Sequence, residues 1–354
     1  MDTRPVAVAI FADGPTTDQA LRHAGGKTLV QHTVDTALEI APPERVHVFV
    51  EGQSEEDVKR AIGVSGLRYV VVNDSSGSAH TLVNAHGMFK SYTGHLVVLP
   101  GNCPLLRTET IRKMIAAARS ANLSGVILTG TLEDPARYGR VIRDAEERVV
   151  AIVAQSGATP EVLVAREVET GIYCLDLHAL WPRLAQLTEH RRGRVCNLSE
   201  VFQVFSGCGQ PVEGLQIDLQ AEAFRIDDGV ALAAVDRLLR ARKARDMMLA
   251  GVTIENPDTV VIDPGVRIGI DTVLEPGVQI LGESVIGESC RLGSHCIIQD
   301  SEIDDEARVG PYALVSRSIL GKRVRIEPFA RLRRDNRLDA GAGRLNEASN
   351  PHSR

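Results

Sequence analysis

The chain has 354 residues, 24% of them charged, and a formal net charge of −6. That length holds two domains, and an acidic balance without a long basic run excludes a nucleic-acid or anionic-membrane surface as the main partner. No stretch approaches the roughly 18 uninterrupted apolar residues of a membrane span, and Met1–Pro5 lacks an apolar signal core, so a cytoplasmic, soluble protein is expected.

In chain order, the apolar runs Val6–Phe11, Val46–Val50, Tyr69–Val72, Leu96–Leu99 and Val126–Thr129 are short and β-branched, as doubly covered parallel strands are. Helical patterns separate them at Thr28–Leu38, Glu55–Ala61, Ala79–Phe89 and Thr110–Ala121, with Thr108 placed to cap the last. This alternation predicts an α/β, Rossmann-like domain with a mostly parallel sheet. Ligands of such sheets sit at the carboxyl ends of the strands, which points to Ala12–Lys27, Asn73–His80 and Pro100–Leu105. Tyr138–Val153 predicts a hairpin turning at Asp144–Glu147, and Asp228–Leu249 a long charged helix joined by Ala250–Pro257 to the C-terminal quarter of the chain. The string Gly26-Lys27-Thr28 is not a P-loop, because the first glycine of that motif would fall on Leu21.

From Ile262 onward every sixth residue is aliphatic: Ile268, Leu274, Ile280, Ile286, Leu292 and Ile298. The step shortens by one at Ile303 and again at Leu320, and the series runs on to Leu332. A small or β-branched residue lies two positions earlier, as at Val266, Thr272, Cys290 and Ala307. A period of six matches neither a helix nor a hairpin meander; it predicts a parallel β-helix, each hexad giving a short strand and a corner. Cys290 and Cys296 fall on the small-residue track and are expected as core thiols. The six cysteines show no C-x-x-C spacing, so no cysteine metal site is expected. The predicted domains are 1–227, a linker at 228–257, a β-helix of about four coils at 258–333, and a loose tail at 334–354.

The ordered strings YGR (Tyr138–Arg140), RDAEERVVAIV (Arg143–Val153), ATPE (Ala158–Glu161), ETGIY (Glu169–Tyr173), MLAGVTIENPDT (Met248–Thr259) and PFARLR (Pro328–Arg333) carry a resemblance. Together they resemble the bacterial bifunctional UDP-N-acetylglucosamine pyrophosphorylase/glucosamine-1-phosphate N-acetyltransferase family, from about Val6 to Leu332. The resemblance implies a nucleotidyltransferase domain followed by a left-handed β-helix. It implies attack of a sugar phosphate on the α-phosphorus of UTP with loss of pyrophosphate, a reaction of cell-envelope biogenesis assisted by Mg²⁺. Its partners are then a nucleotide or nucleotide sugar and a sugar phosphate, and its hexapeptide helix a homotrimer.

Matched residue by residue, the family pattern implies nucleotide contacts at Ala12, Asp13, Gly14, Gly77 and Ser78. The chain departs at the phosphate loop, where Pro15-Thr16-Thr17-Asp18-Gln19 replaces a longer basic segment and Asp18 stands near the place of an arginine. Neither the loop arginine nor the lysine of a Pro-Lys pair has a counterpart. Val72 replaces a base-contacting glutamine. The metal-binding Asp of a Gly-Asp-x-Pro turn is Asn102 here, and its Asn partner before the linker helix is Asp227. This is either a reciprocal exchange that keeps one carboxylate for Mg²⁺, or two independent losses with Asp227 capping the next helix. On the sugar side Gly139 and Thr170 are kept, a Glu becomes Ala154, and an Asn becomes Glu169.

The family's acetyltransferase residues lie in later coils than this chain has, so acetyl transfer is not expected; Arg333 matches an arginine near the phosphosugar but stands alone. Three readings remain. One is a sugar-1-phosphate nucleotidyltransferase with weakened or redirected activity. The second is an inactive homologue acting as a nucleotide-sugar-binding scaffold, and the third an acyltransferase, against which the missing histidine speaks.

Overall fold

The computed structural model describes residues 4–13, 16–72, 77–135, 138–190, 194–224, 226, 228–333 and 336–339. They form two units, one of residues 1–22 and 28–231 and the other of residues 23–27 and 232–354.

In the first unit β1 (Val6–Ala12) leads through a short helix α1 (Thr16–Ala20) to α2 (Leu29–Leu38). Thr28 starts α2 by accepting a bond from the Gln31 backbone N–H at 3.3 Å, and the helix buries Leu29, Val30, Val34 and Ala37. Next come β2 (Val46–Glu51), α3 (Glu55–Ile62) and β3 (Arg68–Val72). Carboxylates in the first turn of α3, Lys59 and Arg60 in its last, and left-handed Gly63 beyond it all suit the helix dipole and cap rules. The helix expected at Ala79–Phe89 is two, α4 (Ser78–Asn84) and α5 (His86–Phe89), divided at Ala85. After β4 (His95–Pro100), helix α6 spans Thr108–Ser120. Thr108 is inside it and does not cap it. Glu222 instead accepts from the Thr110 hydroxyl at 2.6 Å and the Arg107 N–H at 3.4 Å.

The rest of the sheet comprises β5 (Gly125–Thr131), the hairpin β6 (Arg140–Arg143) and β7 (Val149–Val153), β8 (Glu167–Asp176) and, after helices α7 (Leu177–His190) and α8 (Val201–Gly207), β9 (Val212–Gln216). The strand order is β9-β5-β8-β4-β1-β2-β3. Pairs β1/β2, β1/β4, β2/β3 and β5/β9 are parallel, and β8 runs antiparallel between β4 and β5. The sheet is thus mostly parallel, and both faces are covered. Val6, Val8 and Ile10 enter one apolar layer with α2 and α6; Ala7 and Ala9 enter the other with Phe89, Leu184 and Phe202.

His47 on β2 is fully buried beside Phe89, ring centroids 4.5 Å apart. Neither ring nitrogen has a hydrogen-bond partner. Burial first, and the Arg68 charge second, push its pKa down from 6.5 to about 4. The folded state therefore holds it neutral: its contribution is complete above pH 6.5 and is lost as pH falls from 6.5 to 4. Denaturant melts of His47→Phe, which keeps the ring packing, are expected to lose about 2–3 kcal/mol less than the parent over that window.

The linker helix α9 runs Gly229–Leu249, one residue shorter at its start than predicted. Asp228 caps it: the Asp228 carboxylate accepts from the Ala231 N–H at 2.8 Å. In the second unit Gly25 and Gly26 (φ 57° and 85°) turn the hairpin that contains Lys27, and the Gly25 N–H donates to Asp236 at 2.7 Å. Gly26-Lys27-Thr28 is therefore hairpin and helix cap rather than a phosphate loop.

Fifteen short strands, from Thr253–Ile254 to Arg337–Leu338, stack into three parallel five-stranded sheets. This is the parallel β-helix the hexads predict, left-handed as the resemblance implies, with five coils rather than about four. It begins inside the predicted connection at Thr253 and ends inside the predicted tail at Leu338. Ile254 and Leu338 add inward aliphatics at the two ends, and the ones between are almost wholly buried except the half-buried Ile268, each buried one stabilising by roughly 1.5–3 kcal/mol. Corners turn on left-handed residues three positions before an inward aliphatic, among them Asp271, Ser289, Tyr312 and Phe329.

The shortened hexads have a physical reason. The corner Leu281-Gly282-Glu283-Ser284 loses one residue in the next two coils, becoming Gln299-Asp300-Ser301 and Ser316-Arg317-Ser318. Buried serines stack there: the Ser301 N–H donates to the Ser284 hydroxyl at 3.2 Å, and the Ser318 N–H to the Ser301 hydroxyl at 3.1 Å. Cys290 and Cys296 are buried as expected, and all six cysteines are free. Among the described residues no helix is long and apolar enough to cross a membrane.

Candidate functional site

Ser78, Asn102, Gly139, Glu169 and Thr170 line one cavity of about 540 Å³ in the first unit. Pro100 ends β4 and Asn102 and Cys103 follow it, Ser78 opens α4 after β3, Gly139 precedes β6, and Glu169–Tyr173 belong to β8. The segment Asn197–Ser199 before α8 and Gln19 of α1 complete much of the wall.

Each polar group is held by local structure. Gly77 (φ 96°, ψ 162°) allows the chain to lie against Cys196: a Cβ there would sit 2.4 Å from the Cys196 carbonyl oxygen. The Ala79 N–H donates to that oxygen at 3.1 Å, and the Ser78 hydroxyl accepts from the Leu198 N–H at 2.9 Å. Gly101 packs on the end of β1, its N–H donating to the Phe11 carbonyl at 2.7 Å. Asn102, next in the chain, donates its side-chain amide to Gln19 Oε1 at 2.9 Å. Burial pushes the neighbouring Cys103 thiol up to about 12, which keeps it protonated and unreactive.

On β8 the register slips between Glu169 and Tyr173, with Gly171 at φ 77°. This bulge presents Glu169 and Thr170 to the cavity. The Thr170 hydroxyl donates to the Leu128 carbonyl at 2.8 Å, which secures the bulge. The Tyr173 hydroxyl donates to Glu169 Oε2 at 2.6 Å. Burial, then the Glu169 charge, raises the Tyr173 pKa well above its usual value, so the phenol remains a donor.

Among the described residues, the expected Ala12, Asp13, Gly77 and Arg333 do not line this wall. Ala12 is buried at the end of β1, and Gly77 acts through its turn. Asp13 is half-buried; burial raises its carboxyl pKa, and the Glu51 charge adds to the rise. Gly14 and Asp227 lie outside the described residues. Arg333 belongs to the β-helix, where it lines a separate cavity of about 380 Å³ with Gln299, Ser316 and Arg317. Sequence reasoning missed Tyr173 and Asn197–Ser199 and reached Gln19 only as part of the Ala12–Lys27 segment. Only Tyr173 carried a signal, as the last residue of ETGIY.

At the expected metal position the described residue is Asn102, whose amide nitrogen is bonded to Gln19 Oε1 at 2.9 Å; its expected partner, the Asp227 carboxylate that Mg²⁺ would prefer, lies outside the described residues. Among the described lining residues none is Arg or Lys, and Glu169 is the one formal charge.

A family profile described as the MobA-like NTP transferase domain matches residues 14–200, and the GMPPB C-terminal domain profile matches residues 255–338. The Bifunctional protein GlmU of Solibacter usitatus is 44% identical over 345 residues, covering 96% of this chain and 74% of that protein. This chain belongs to the bifunctional GlmU family. The GlmU proteins of Anaeromyxobacter dehalogenans strain 2CP-1 and Enterococcus faecalis are each 34% identical, over 84% and 80% of this chain. The chain spans only 62% and 61% of those two GlmU relatives. A Bacillus anthracis chain described as a glucose-1-phosphate thymidylyltransferase, solved with sucrose, aligns with a TM-score of 0.55 over 66% of this chain and 95% of that one. At 17% identity that likeness speaks for the fold alone. In this GlmU-family chain most of the cavity's lining, all but Ala223 and Phe224, lies within the part matched as an NTP transferase.

Proposed function

We propose that the cavity takes a sugar 1-phosphate and a nucleotide, or the nucleotide sugar they form, and that the chain carries out nucleotidyl transfer of the UDP-N-acetylglucosamine pyrophosphorylase type in weakened or redirected form. The observation that carries this reading is the convergence of Ser78, Asn102, Gly139, Glu169 and Thr170 on one cavity of about 540 Å³, large enough for a sugar nucleotide. In the reaction a phosphate oxygen of the sugar 1-phosphate bonds to the α-phosphorus, the bond from that phosphorus to the bridging oxygen breaks, and pyrophosphate leaves. This chain's own contribution is orientation by the Gly77–Ala79 turn and the β8 bulge.

Weakening follows from the lining, since among its described residues four neutral amides (Gln19, Asn102, Gln155 and Asn197) and one carboxylate, without a cation, give little counterweight to a triphosphate. The same Asn102–Gln19 bond favours a second reading, a protein that binds a nucleotide sugar without turning it over. Assembly as a homotrimer through the β-helix is part of the proposal, because a prism of five coils gains by burying its flanks. A monomer in light scattering at micromolar concentration would count against it.

The deciding test is pyrophosphate release from UTP and other nucleoside triphosphates with N-acetylglucosamine 1-phosphate and other sugar phosphates, with Mg²⁺. Slow turnover is expected, falling about 100-fold in Asp227→Ala if the carboxylate of the exchanged pair takes part. Unchanged turnover in that variant removes Asp227 from the reaction. Binding in calorimetry without turnover selects the second reading, and silence toward every nucleotide and sugar phosphate overturns both.

A further inference from the structure

We propose that the β-helix carries a second binding site, for a small dianion: a molecule with two carboxylate or phosphate groups about one strand spacing apart, held by a ladder of Arg291, Arg308 and Arg325. The site lies in the second unit and does not depend on the nucleotide cavity of the first.

The period of the coils puts the three side chains in line. Each takes the outward position before a buried aliphatic, in the strands Arg291–Leu292, Arg308–Val309 and Arg325–Ile326. These strands pair in parallel, with Arg291 opposite Arg308 and Arg308 opposite Arg325. Successive strands lie about 4.8 Å apart, so like charges face one another without a spacer. All three line a cavity of about 260 Å³.

Arg291 shows what relieves such a contact. Its guanidinium bonds the Glu275 carboxylate of the preceding coil at 2.7 Å, and Glu275 is held there by the Ser294 N–H at 2.9 Å and hydroxyl at 3.0 Å. Glu275 stands two residues after the outward position of its own strand, Val273. The same step places Gly293 below Arg308 and Gly310 below Arg325. Neither glycine has room for an acid. A Cβ on Gly293 would lie 2.6 Å from the Pro311 nitrogen, and one on Gly310 2.5 Å from that of Pro328.

Among the described residues the Arg308 and Arg325 side chains accordingly have no hydrogen bond or ion pair. The chain thus supplies a carboxylate to the first rung and leaves the floor open at the next two, where a ligand with two anionic groups completes the pattern. Glu275 and Glu327 line the two ends of the cavity and disfavour a longer polyanion. Three cations on a chain of net charge −6 are also too few for a nucleic-acid or bilayer surface. The fit is a small molecule.

The test is calorimetry on the full chain at low ionic strength, with succinate against acetate and pyrophosphate against inorganic phosphate. At least one dianion is expected to bind about tenfold or more tightly than its single-group counterpart, and to weaken with added salt. Arg308→Gln and Arg325→Gln should each cost that dianion about tenfold. Arg267→Gln removes an exposed cation from a different sheet and should leave the affinity within about twofold. Thermal melts give a second reading. Without a polyvalent anion Arg308→Gln should melt no lower than the parent, since it removes a like-charge contact, whereas the rise that the dianion gives the parent should vanish. Succinate as the tighter ligand identifies a dicarboxylate and pyrophosphate a diphosphate; either supports the site. Affinities that do not distinguish one anionic group from two, or that fall as much in Arg267→Gln as in the ladder variants, overturn it. If neither dianion responds to the ladder variants the inference also falls, while the nucleotide-cavity reading stands.

Discussion

Gly77→Ala is expected to destabilise the first unit by about 3–5 kcal/mol and to abolish ligand binding, even though it adds a single methyl group. Two independent costs combine. The backbone at φ 96°, ψ 162° lies in a region that essentially only glycine occupies, worth about 1–3 kcal/mol for another residue. The new Cβ would also fall 2.4 Å from the Cys196 carbonyl oxygen and 2.9 Å from its nitrogen, and these are backbone atoms that cannot rotate away. Relief requires the turn to part from Cys196–Leu198, which breaks the bonds from Ala79 N–H to Cys196 and from Leu198 N–H to Ser78. Both segments line the cavity, so stability and site fail together. Chemical denaturation with nucleotide-sugar calorimetry reads both. A stable variant with parental affinity would show that this turn does not shape the site.

How far the sequence could be read depended on whether side-chain order followed one period. The hexads repeat wherever the prism repeats, so the β-helix was legible from Ile262 to Leu332, and even its two shortened steps mark a real corner. Its ends were not legible, because Thr253–Ile254 and Arg337–Leu338 have no second hexad on one side to set the phase. In the first unit the five predicted strands are simple apolar runs. β8 is not: its bulge interrupts the alternation at Glu169–Tyr173, which hides a strand at the centre of the sheet. Thr108 has the residue type of a cap, whereas the donors at that helix start meet Glu222, distant in sequence. The candidate site divides the same way. Residues in short strings (Ser78, Asn102, Gly139, Glu169, Thr170) were found, while Gln19 and Asn197–Ser199 reach the cavity only through tertiary folding.

The Asn102–Gln19 bond bears most directly on the proposed reaction, since it places a neutral pair where the family resemblance implies a metal-binding carboxylate. Asn102→Asp should test that in one step. The turn should survive, because Gly101 anchors it through the backbone and Gln19 can rotate its amide to donate instead of accept. Without Mg²⁺ the variant is expected to melt lower than the parent, as a half-buried carboxylate beside the cavity has lost its solvent and gained no cation. Adding Mg²⁺ should restore the loss by mass action, a dependence the parent should lack. If the missing carboxylate is what limits turnover, pyrophosphate release should rise by about 100-fold in the variant with Mg²⁺ and stay unchanged without it. A melting temperature indifferent to Mg²⁺ would show that position 102 no longer faces a metal site. A restored metal response with no gain in rate would place the defect away from position 102, and would favour binding over turnover as the work of this cavity.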